Sequence, residues 1–518
     1  MRRLVLFFAA VATLATCSAR ERAASVRPGV EFDAWIDAER RVALVFLLQN
    51  VSPTGTFHKK FETKFVADDR WPGVRAESAR PGDRLSLNGA WIRQTITPVV
   101  GVVVAAPLGK RSEPDYFFHW VRDSALVMGE IAGLASNSSG CERADLLRRW
   151  DDFVAFSRVL QGAAGPEGLG EVRFNADGSP DFLRWSRPQY DGPALGALTL
   201  LRAESLGLDR SGTTAAELTA AVHADLDYLA AADLEGFDLW EEYRGHDYYA
   251  RAVQAAALDE GAHRERAVGD TARARAYERA RDARLAALGT LWLPERACYG
   301  FAAGLRVYWD GSSRPKPGGN LDTAVLLAAV HGGRTYGRHS VLDDRIMSSE
   351  TVLEDIFAAE YPINRGRPAD RGVAFGRYLG DDYFGGNPFV FITLGVAELH
   401  YRVADLLARR ASYRVTELNR TFIERALRRA GSSAILAPDA DALADAALRR
   451  DLLRGLALRG DDILRTIRFA TPPTGRLAEQ FDKLDGSPAS GRDLSWSYAS
   501  FFSATDARRA AYRALADR

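Results

Sequence analysis

The apolar side chains of this sequence recur at helical spacing over nearly its whole length, and that rhythm excludes most fold classes at once. Residues 31–49 (EFDAWIDAERRVALVFLLQ) place Phe32, Trp35, Ile36, Val42, Val45 and Phe46 near helical spacing. Further helices are expected from Ser124 onward and at 145–161, 192–206, 213–231, 247–261, 267–290, 320–331, 349–360, 388–409, 416–429, 439–469 and 493–516. Helices alternating with short loops give an all-α chain. Periodicity does not say how the helices are arranged. One stretch breaks the pattern. Residues 52–89 carry Pro53, Gly55, Pro72, Gly73, Pro81 and Gly82 among many charges and read as an inserted loop or small hairpin. The rhythm resumes at Gly89-Ala90-Trp91, and residues 101–107 (GVVVAAP) lead into the next loop.

A chain of 518 residues, 47% hydrophobic, can build one large core or two ordinary ones. Its 68 basic and 68 acidic side chains cancel. That balance argues against nucleic acid or an anionic membrane as partner, because both rely on a basic excess. The first residues read as an export signal over 1–23, with Arg2 and Arg3 ahead of an apolar stretch, Leu4 to Ala15, too short to span a bilayer comfortably. Leu14-Ala15-Thr16-Cys17 also resembles a bacterial lipoprotein cleavage box, with lipidation of Cys17 as the alternative to secretion. Residues 24–518 are then expected to form a single domain and a monomer. Cys141 and Cys298 could join in one disulfide or stay two buried thiols, and spacing leaves both open. Asn50, Asn137 and Asn419 open glycosylation sequons. The Ala/Arg-rich stretch 262–286 alternates charge sign and reads as a solvated outer helix face.

Chemistry concentrates elsewhere. Residues 237–242 (FDLWEE) set two adjacent carboxylates beside Leu239 and Trp240, and residues 477–483 (LAEQFDK) carry another carboxylate far downstream. An acidic pair alone is common on solvated helices. The surrounding blocks are not: PDYFFHWVRDS at 114–124, LGEVRFN at 169–175, WSRPQYDGP at 185–193 and GRYLGDDYFGGNP at 376–388 mix aromatics with Arg, Asp and Asn. Aromatic faces stack on sugar rings while the polar groups bind hydroxyls, so a pyranose pocket wants this mixture from several turns. Glycoside hydrolysis in turn needs two carboxyl groups on opposite faces of one ring. Eight scattered histidines, His119 and His246 among them, show no metal-ligand spacing and are read as non-catalytic. No metal or cofactor is expected.

These blocks, with the terminal GRDLSWSYA, resemble the glucoamylases of the inverting glycoside hydrolases, family 15, and most of all the fungal type, from about residue 31 to about residue 508. The resemblance implies an (α/α)6 barrel of six inner and six outer helices, whose loops at one end form a pocket that removes single glucose units from the non-reducing end of starch-like α-1,4-glucans. The fungal members lack an insertion at 52–89, which falls on the barrel rim. With no Ser/Thr-rich linker and no second β-rich module, a separate starch-binding domain is not expected. Residue by residue, Glu241 falls at the general acid and Glu479 at the general base. The acid must be held protonated by apolar neighbours or nearby negative charge, and Leu239, Trp240 and Glu242 are the residues expected to do this. Arg122 and Asp123 match a clamp for the terminal glucose, with Arg377 and Asp381 acting similarly. Tyr116, Trp120, Trp185, Tyr383 and Trp496 match pocket walls, and Ser490 matches the residue that orients the base.

Three positions depart from the fungal pattern. Phe481 and Phe118 stand where it has Tyr, and Phe389 where it has Trp, which is expected to leave smaller or less polar walls in the outer subsites. Two alternatives accompany the leading reading: an α-1,6-preferring, glucodextranase-like enzyme, and a carbohydrate-binding protein that lost catalysis.

Overall fold

The computed structural model describes residues 31–516 apart from 55–58, 61–73, 77–84, 88–89, 93–94, 108–112, 163–166, 182–184, 209–214, 232, 234, 304–306, 309–310 and 314. The expected signal at 1–23 and Cys17 lie outside the described residues.

Thirteen helices are described: α1 (Phe32–Asn50), α2 (Val121–Asn137), α3 (Gly140–Gly162), α4 (Asp191–Ser205), α5 (Ala215–Ala231), α6 (Tyr248–Val268), α7 (Thr271–Gly289), α8 (Ala324–Gly332), α9 (Asp344–Glu360), α10 (Val390–Ala408), α11 (Arg420–Arg429), α12 (Ala446–Ala470) and α13 (Ser495–Ala516). Their apolar surfaces are of two kinds. Helix α8 buries every residue but His331, and α10 is buried on almost all sides. Helix α3 buries only Leu146, Trp150, Phe153, Val154, Phe156 and Leu160, a stripe at three- and four-residue steps. A helix apolar all round belongs inside and a striped one belongs on the wall. Packing follows that division: α2, α4, α6, α8, α10 and α13 touch one another in sequence, and α13 closes back on α2. Helices α1, α3, α5, α7, α9 and α12 clothe this ring, with α11 packed on α12 and α9. The result is the (α/α)6 barrel.

Local chemistry sets the boundaries. Asp247, Asp270, Asp343 and Asp445 cap α6, α7, α9 and α12 by accepting from backbone N–H groups of the first turn. Each such cap is worth about 1 kcal/mol. Gly269, at φ 89°, closes the tight turn between α6 and α7. On α7 only Ala274, Tyr277, Ala280, Arg284 and Leu288 are buried, while Arg266 with Glu278 and Arg273 with Asp227 pair on the outside. Of the stretch 262–286, the part on α7 is the charged outer face its alternation predicts, while residues 262–268 end the inner helix α6 with Ala262 and Glu265 buried.

Connections differ sharply at the two ends. Every outer-to-inner connection, the longest of them between α1 and α2, enters an inner helix at its N-terminus. All the sugar-type blocks read from the sequence lie in these connections and the first turns they enter, so they gather at one end of the barrel. That end also collects six positive helix termini, which favour carboxylates. Asp123 and Asp191 sit in the first turns of α2 and α4, and Asp247 caps α6.

Two expectations are corrected here. The stretch 52–89 is more than a loop or small hairpin in a helical run. Its described parts, Val74–Ala76 and Leu85–Leu87, pair antiparallel in one sheet with Ala90–Ile92, and Lys59–Lys60 pairs with Thr95–Ile96. Helical rhythm therefore does not resume at Ala90. The second correction concerns sulfur. Cys298 is a free, buried thiol, so it makes no disulfide with Cys141, and Cys141 is exposed.

Candidate active site

The loop that carries the acidic pair is a small hairpin. Gly236–Phe237 pairs with Tyr243–Gly245, leaving residues 238–242 as the connecting turn. Asp238 builds that turn from within. Its Oδ1 accepts from the N–H of Glu242 at 2.8 Å and Tyr243 at 3.3 Å, and its carbonyl accepts from Glu241 N–H at 2.9 Å. The closure holds Glu241 at φ 65°, a left-handed conformation that costs a residue with a Cβ about 1–3 kcal/mol. Such a kink sends successive side chains in different directions.

Glu241 points into the cluster of aromatic loops. Its Oε1 accepts from Trp120 Nε1 at 2.7 Å, Gln189 Nε2 at 3.2 Å and Arg122 Nη2 at 3.4 Å, and its Oε2 accepts from Trp185 Nε1 at 2.6 Å. Ser186 donates to its carbonyl. Its sequence neighbours face elsewhere, which corrects the expectation that Leu239, Trp240 and Glu242 surround it. Leu239 is buried in the core. Trp240 donates to both oxygens of Asp322 at 3.0 Å and packs on Phe389 and Phe391. Glu242 accepts from Arg377 at 2.8 Å and from Tyr378.

Behind this turn lies a buried cation. Lys316 Nζ is 2.8 Å from Asp322 and 3.7 Å from Asp238, over the rings of Phe301 and Tyr378 at 3.9 and 4.0 Å. It ties the turn to the start of α8. Burial pushes Asp238 up to about 6, with Lys316 opposing that rise.

Glu479 enters from the connection before α13. Strand Gln480–Phe481 pairs with Pro488–Ala489, and Glu479 N–H donates to the Gly491 carbonyl at 2.7 Å while its carbonyl accepts from Val390 N–H at 2.9 Å. Tyr116 OH is 3.1 and 3.2 Å from its two carboxylate oxygens, and Ser490, held at φ 60°, donates to Oε2. Burial pushes Glu479 above the usual carboxylate range, against the hydrogen bonds of Ser490 and Tyr116 and the charge of Arg377. Aromatic walls join the two carboxylates: the Tyr116 ring lies edge-on to Trp120 at 5.6 Å, and Trp120 lies 6.0 Å from Trp185.

Arg122 and Asp123 follow Trp120 directly. The Arg122 Nη1 already serves Gln189 and Asp191, both at 2.8 Å, so its fork is largely held by protein; its buried Nε makes no hydrogen bond and stands 3.8 Å from Asp123. Burial pushes the Asp123 carboxyl up to about 7, the nearby charges of Glu241, Asp191 and Glu479 adding to the rise and Arg122 opposing it. Asp123 thus feels both carboxylates at once. Arg377 is more fully occupied than a sugar clamp would be. It pairs with Asp381 through Nε at 2.8 Å and through Nη2, and with Glu242, forming a closed charge cluster beside Tyr383. Trp496 stacks on Phe391 at 4.1 Å, and its buried Nε1 has no hydrogen-bond partner in the protein.

The three Phe departures stand behind the pocket rather than on its walls. Phe118, Phe389 and Phe481 are 1, 2 and 1% exposed. Phe118 backs Trp120, and Phe389 backs Trp240. His119 is likewise structural: its Nδ1 accepts from Val103 N–H, and burial holds it down to about 3, hence neutral. His246 lies 3.6 Å from Asp233, away from both carboxylates. Gln189, Asp191, Asp238, Lys316 and Asp322 were not singled out from sequence. Gln189 and Asp191 lie inside the WSRPQYDGP block with Trp185, so block composition is the signal that points to them.

Known proteins resemble this chain in sequence and in fold. The chain is 31% identical over 413 residues to glucoamylase 1 of Rhizopus oryzae, covering 77% of this chain and 65% of that protein. It is 28% identical over 490 residues to a probable glucoamylase of Schizosaccharomyces pombe, covering 92% of both. Among solved structures, a family 15 glucoamylase from Hypocrea jecorina superposes with a TM-score of 0.73 at 27% identity, over 92% of this chain and 72% of that one. The family profile itself matches residues 88–506, a span that holds every one of the pocket residues above, and the chain belongs to the glycosyl hydrolases family 15.

Proposed function

We propose that this chain is an exo-acting, inverting glycosidase that releases β-D-glucose from the non-reducing ends of starch-like α-1,4-glucans and cleaves α-1,6 links more weakly. The observation that carries the proposal is the contrast between two carboxyl groups at one barrel end. Glu241 sits among N–H donors of Trp120, Trp185, Gln189 and Arg122. Glu479 sits among the hydroxyls of Tyr116 and Ser490. The two settings differ, and the acid and base roles follow the places of Glu241 and Glu479 in the family motifs.

In the proposed reaction Glu241 gives its proton to the glycosidic oxygen as the bond to C1 breaks. Glu479 takes a proton from the water that attacks C1 from the opposite face, so the product anomer is inverted. Such a pair works with its carboxyl groups about 6.5–9.5 Å apart, leaving room for that water. Tyr116 and Ser490 fix the lone pairs of Glu479 toward the water, and Asp123 accepts from the hydroxyls of the terminal glucose. Arg122 offers its Nε edge, while Arg377 and Asp381 hold Glu242 and Tyr383 in place. Trp120, Trp185, Tyr383 and Trp496 wall the sugar. Neither α-1,6 preference nor loss of catalysis is favoured, since a pure binder has no need of both carboxylates.

Export is part of the same proposal and rests on the leader pattern at 1–23. Among the described residues no helix is long and apolar enough to cross a membrane.

The deciding experiment follows maltoheptaose hydrolysis by proton NMR from the first minutes. Early β-glucose is the expected result. Early α-glucose would remove the inverting assignment, and release of longer products first would remove the exo assignment.

A further inference from the structure

Away from the sugar pocket, the outer wall holds a cavity of about 330 Å³ where α9, α11, α12 and residues 367–372 meet. Small-molecule sites begin near 300 Å³, so this space is large enough for a compact ligand. It shares no residue with the pocket described above. Its lining is unusual in charge: six arginines against two carboxylates, Glu354 and Asp462.

Those two acids are already committed. Glu354 accepts from Arg425 at 2.6 Å and from Arg459 at 2.8 Å, and Asp462 accepts from Arg429 Nη2 at 2.8 Å and from Arg465 at 3.2 Å. Just outside, Asp355 lies on Arg425 and Asp370 lies 3.9 Å from Arg465. The other three lining arginines have little to neutralise them. Arg367 donates through Nε and Nη1 to the backbone carbonyls of Arg371 and Asn364, both at 2.8 Å. Arg371 donates to the carbonyl of Ile363 at 3.2 Å and stacks over Phe469. Arg428 is 61% exposed, with Glu424 no nearer than 3.8 Å.

Carbonyl partners orient a guanidinium without cancelling its charge. Arg367 and Arg371 are therefore fixed close together as like charges, and burial, followed by the charge of Arg367, pushes Arg371 below its usual range. Among the described residues Nη2 of Arg367 has no protein partner, so a donor edge remains on offer. Planar guanidinium forks match phosphate oxygens two at a time, which lysines would not.

We propose that this cavity binds a small ligand carrying two or more phosphate groups, held by Arg367, Arg371 and Arg428 with Arg425, Arg429 and Arg459 as the inner wall. The phosphates come either as free polyphosphate or as esters on a sugar.

The test is calorimetric titration of the full chain with sodium pyrophosphate, tripolyphosphate and a hexose bisphosphate, at ionic strength held constant with sodium chloride. Saturable binding with one site per chain is expected. The double variant Arg367→Gln/Arg428→Gln should bind about tenfold or more weakly, having lost two charge-assisted contacts. Its maltoheptaose hydrolysis should match wild type, and its unliganded Tm should fall only by what the two Arg367 carbonyl bonds contribute. Tighter binding of the hexose bisphosphate assigns a phosphorylated sugar, and tighter binding of tripolyphosphate assigns free polyphosphate. Absence of saturable binding, or a double variant that binds as wild type, overturns the proposal. If the double variant misfolds, Arg428→Glu changes only an exposed side chain and should weaken binding by itself; unchanged affinity in that variant overturns the proposal equally.

Discussion

The hydroxyl of Tyr116 is hydrogen-bonded at once to the Tyr383 hydroxyl and to the Glu479 carboxylate. An ionised carboxylate only accepts, so Tyr116 donates to Glu479 and Tyr383 must donate to Tyr116. The two tyrosines form a directed chain ending on the proposed base. Burial and the charge of Glu479 push Tyr116 well above the usual phenol range, which keeps its proton in place for that bond. Tyr116→Phe should therefore lower kcat by about 10–100-fold, with KM changed less, because the base loses a positioning donor made for the reacting state. Tyr383→Phe removes only the outer link and should cost less. Steady-state kinetics on maltoheptaose checks the order of the two effects.

The paired carboxylates give the largest expected losses. Glu241→Gln and Glu479→Gln should each cut kcat by about 10²–10⁴, the usual contribution of a positioned proton-transfer group. Binding of maltotriose, read by tryptophan fluorescence, should survive in both. The two variants should differ in stability. Glu241 accepts on both oxygens from N–H donors, so a glutamine there must turn its NH₂ against either Trp120 or Trp185 and leave a buried donor unmet. That should cost about 1–3 kcal/mol in denaturant unfolding. Glu479 faces hydroxyls that can rotate, and its glutamine variant should lose less.

The acidic limb of kcat/KM should report Glu479, and it should stand above the ordinary carboxylate range because burial raises that group. Ser490 hydrogen-bonds the ionised form and so lowers the titration point. Ser490→Ala should move the acidic limb to higher pH. A limb that stays in place, or moves to lower pH, would separate Glu479 from the limb altogether.

Helices, their number and the pooling of aromatic and charged loops were legible in the sequence, because helical periodicity and block composition are local properties. Ring closure was not, since it depends on α13 meeting α2 across the whole chain. Directions of side chains were the least legible part of the site. Leu239, Trp240 and Glu242 adjoin Glu241 in sequence yet face away, because the left-handed backbone at Glu241 fans the turn out. Phe118, Phe389 and Phe481 read as wall changes but lie behind the wall, a matter of depth that composition does not encode. Asp238, Asp322 and Lys316 gave no local sign of a role because their partners lie far off in sequence.

A second acid governs stability. Glu39 on α1 is fully buried, neither carboxylate oxygen has a hydrogen-bond partner, and burial pushes it from 4.5 up to about 8. The folded state therefore holds a proton that the unfolded chain releases near pH 4.5. A raised group stabilises fully below the unfolded value, and that contribution is lost as pH rises through the folded one. Stability should fall between about pH 4.5 and pH 8 by an amount on the order of a few kcal/mol from this residue. Glu39→Gln should flatten Tm against pH in that window. An unchanged slope would mean Glu39 finds a partner in solution.

Lys316 offers the sharpest separation of holding a turn from doing chemistry. Its ammonium stands between Asp322 and Asp238, all three side chains fully buried. Lys316→Met would leave two buried carboxylates without their cation, and breaking such a cluster costs about 3–5 kcal/mol. The damage should be directional. Asp238 already stands at about 6 with Lys316 opposing the rise, so without the lysine it moves higher and accepts less well from the amides of Glu242 and Tyr243. Those amides hold Glu241 in its left-handed turn, so kcat should drop while sugar binding through Asp123 and the aromatic walls persists. Adding Asp322→Asn to Lys316→Met removes one of the stranded charges but keeps an oxygen for Trp240 Nε1. The double variant should regain stability relative to Lys316→Met, yet remain slow because Asp238 is still alone. Recovery of both stability and kcat together would show that Lys316 matters only to folding, and failure of stability to recover would place the coupling elsewhere than Asp322.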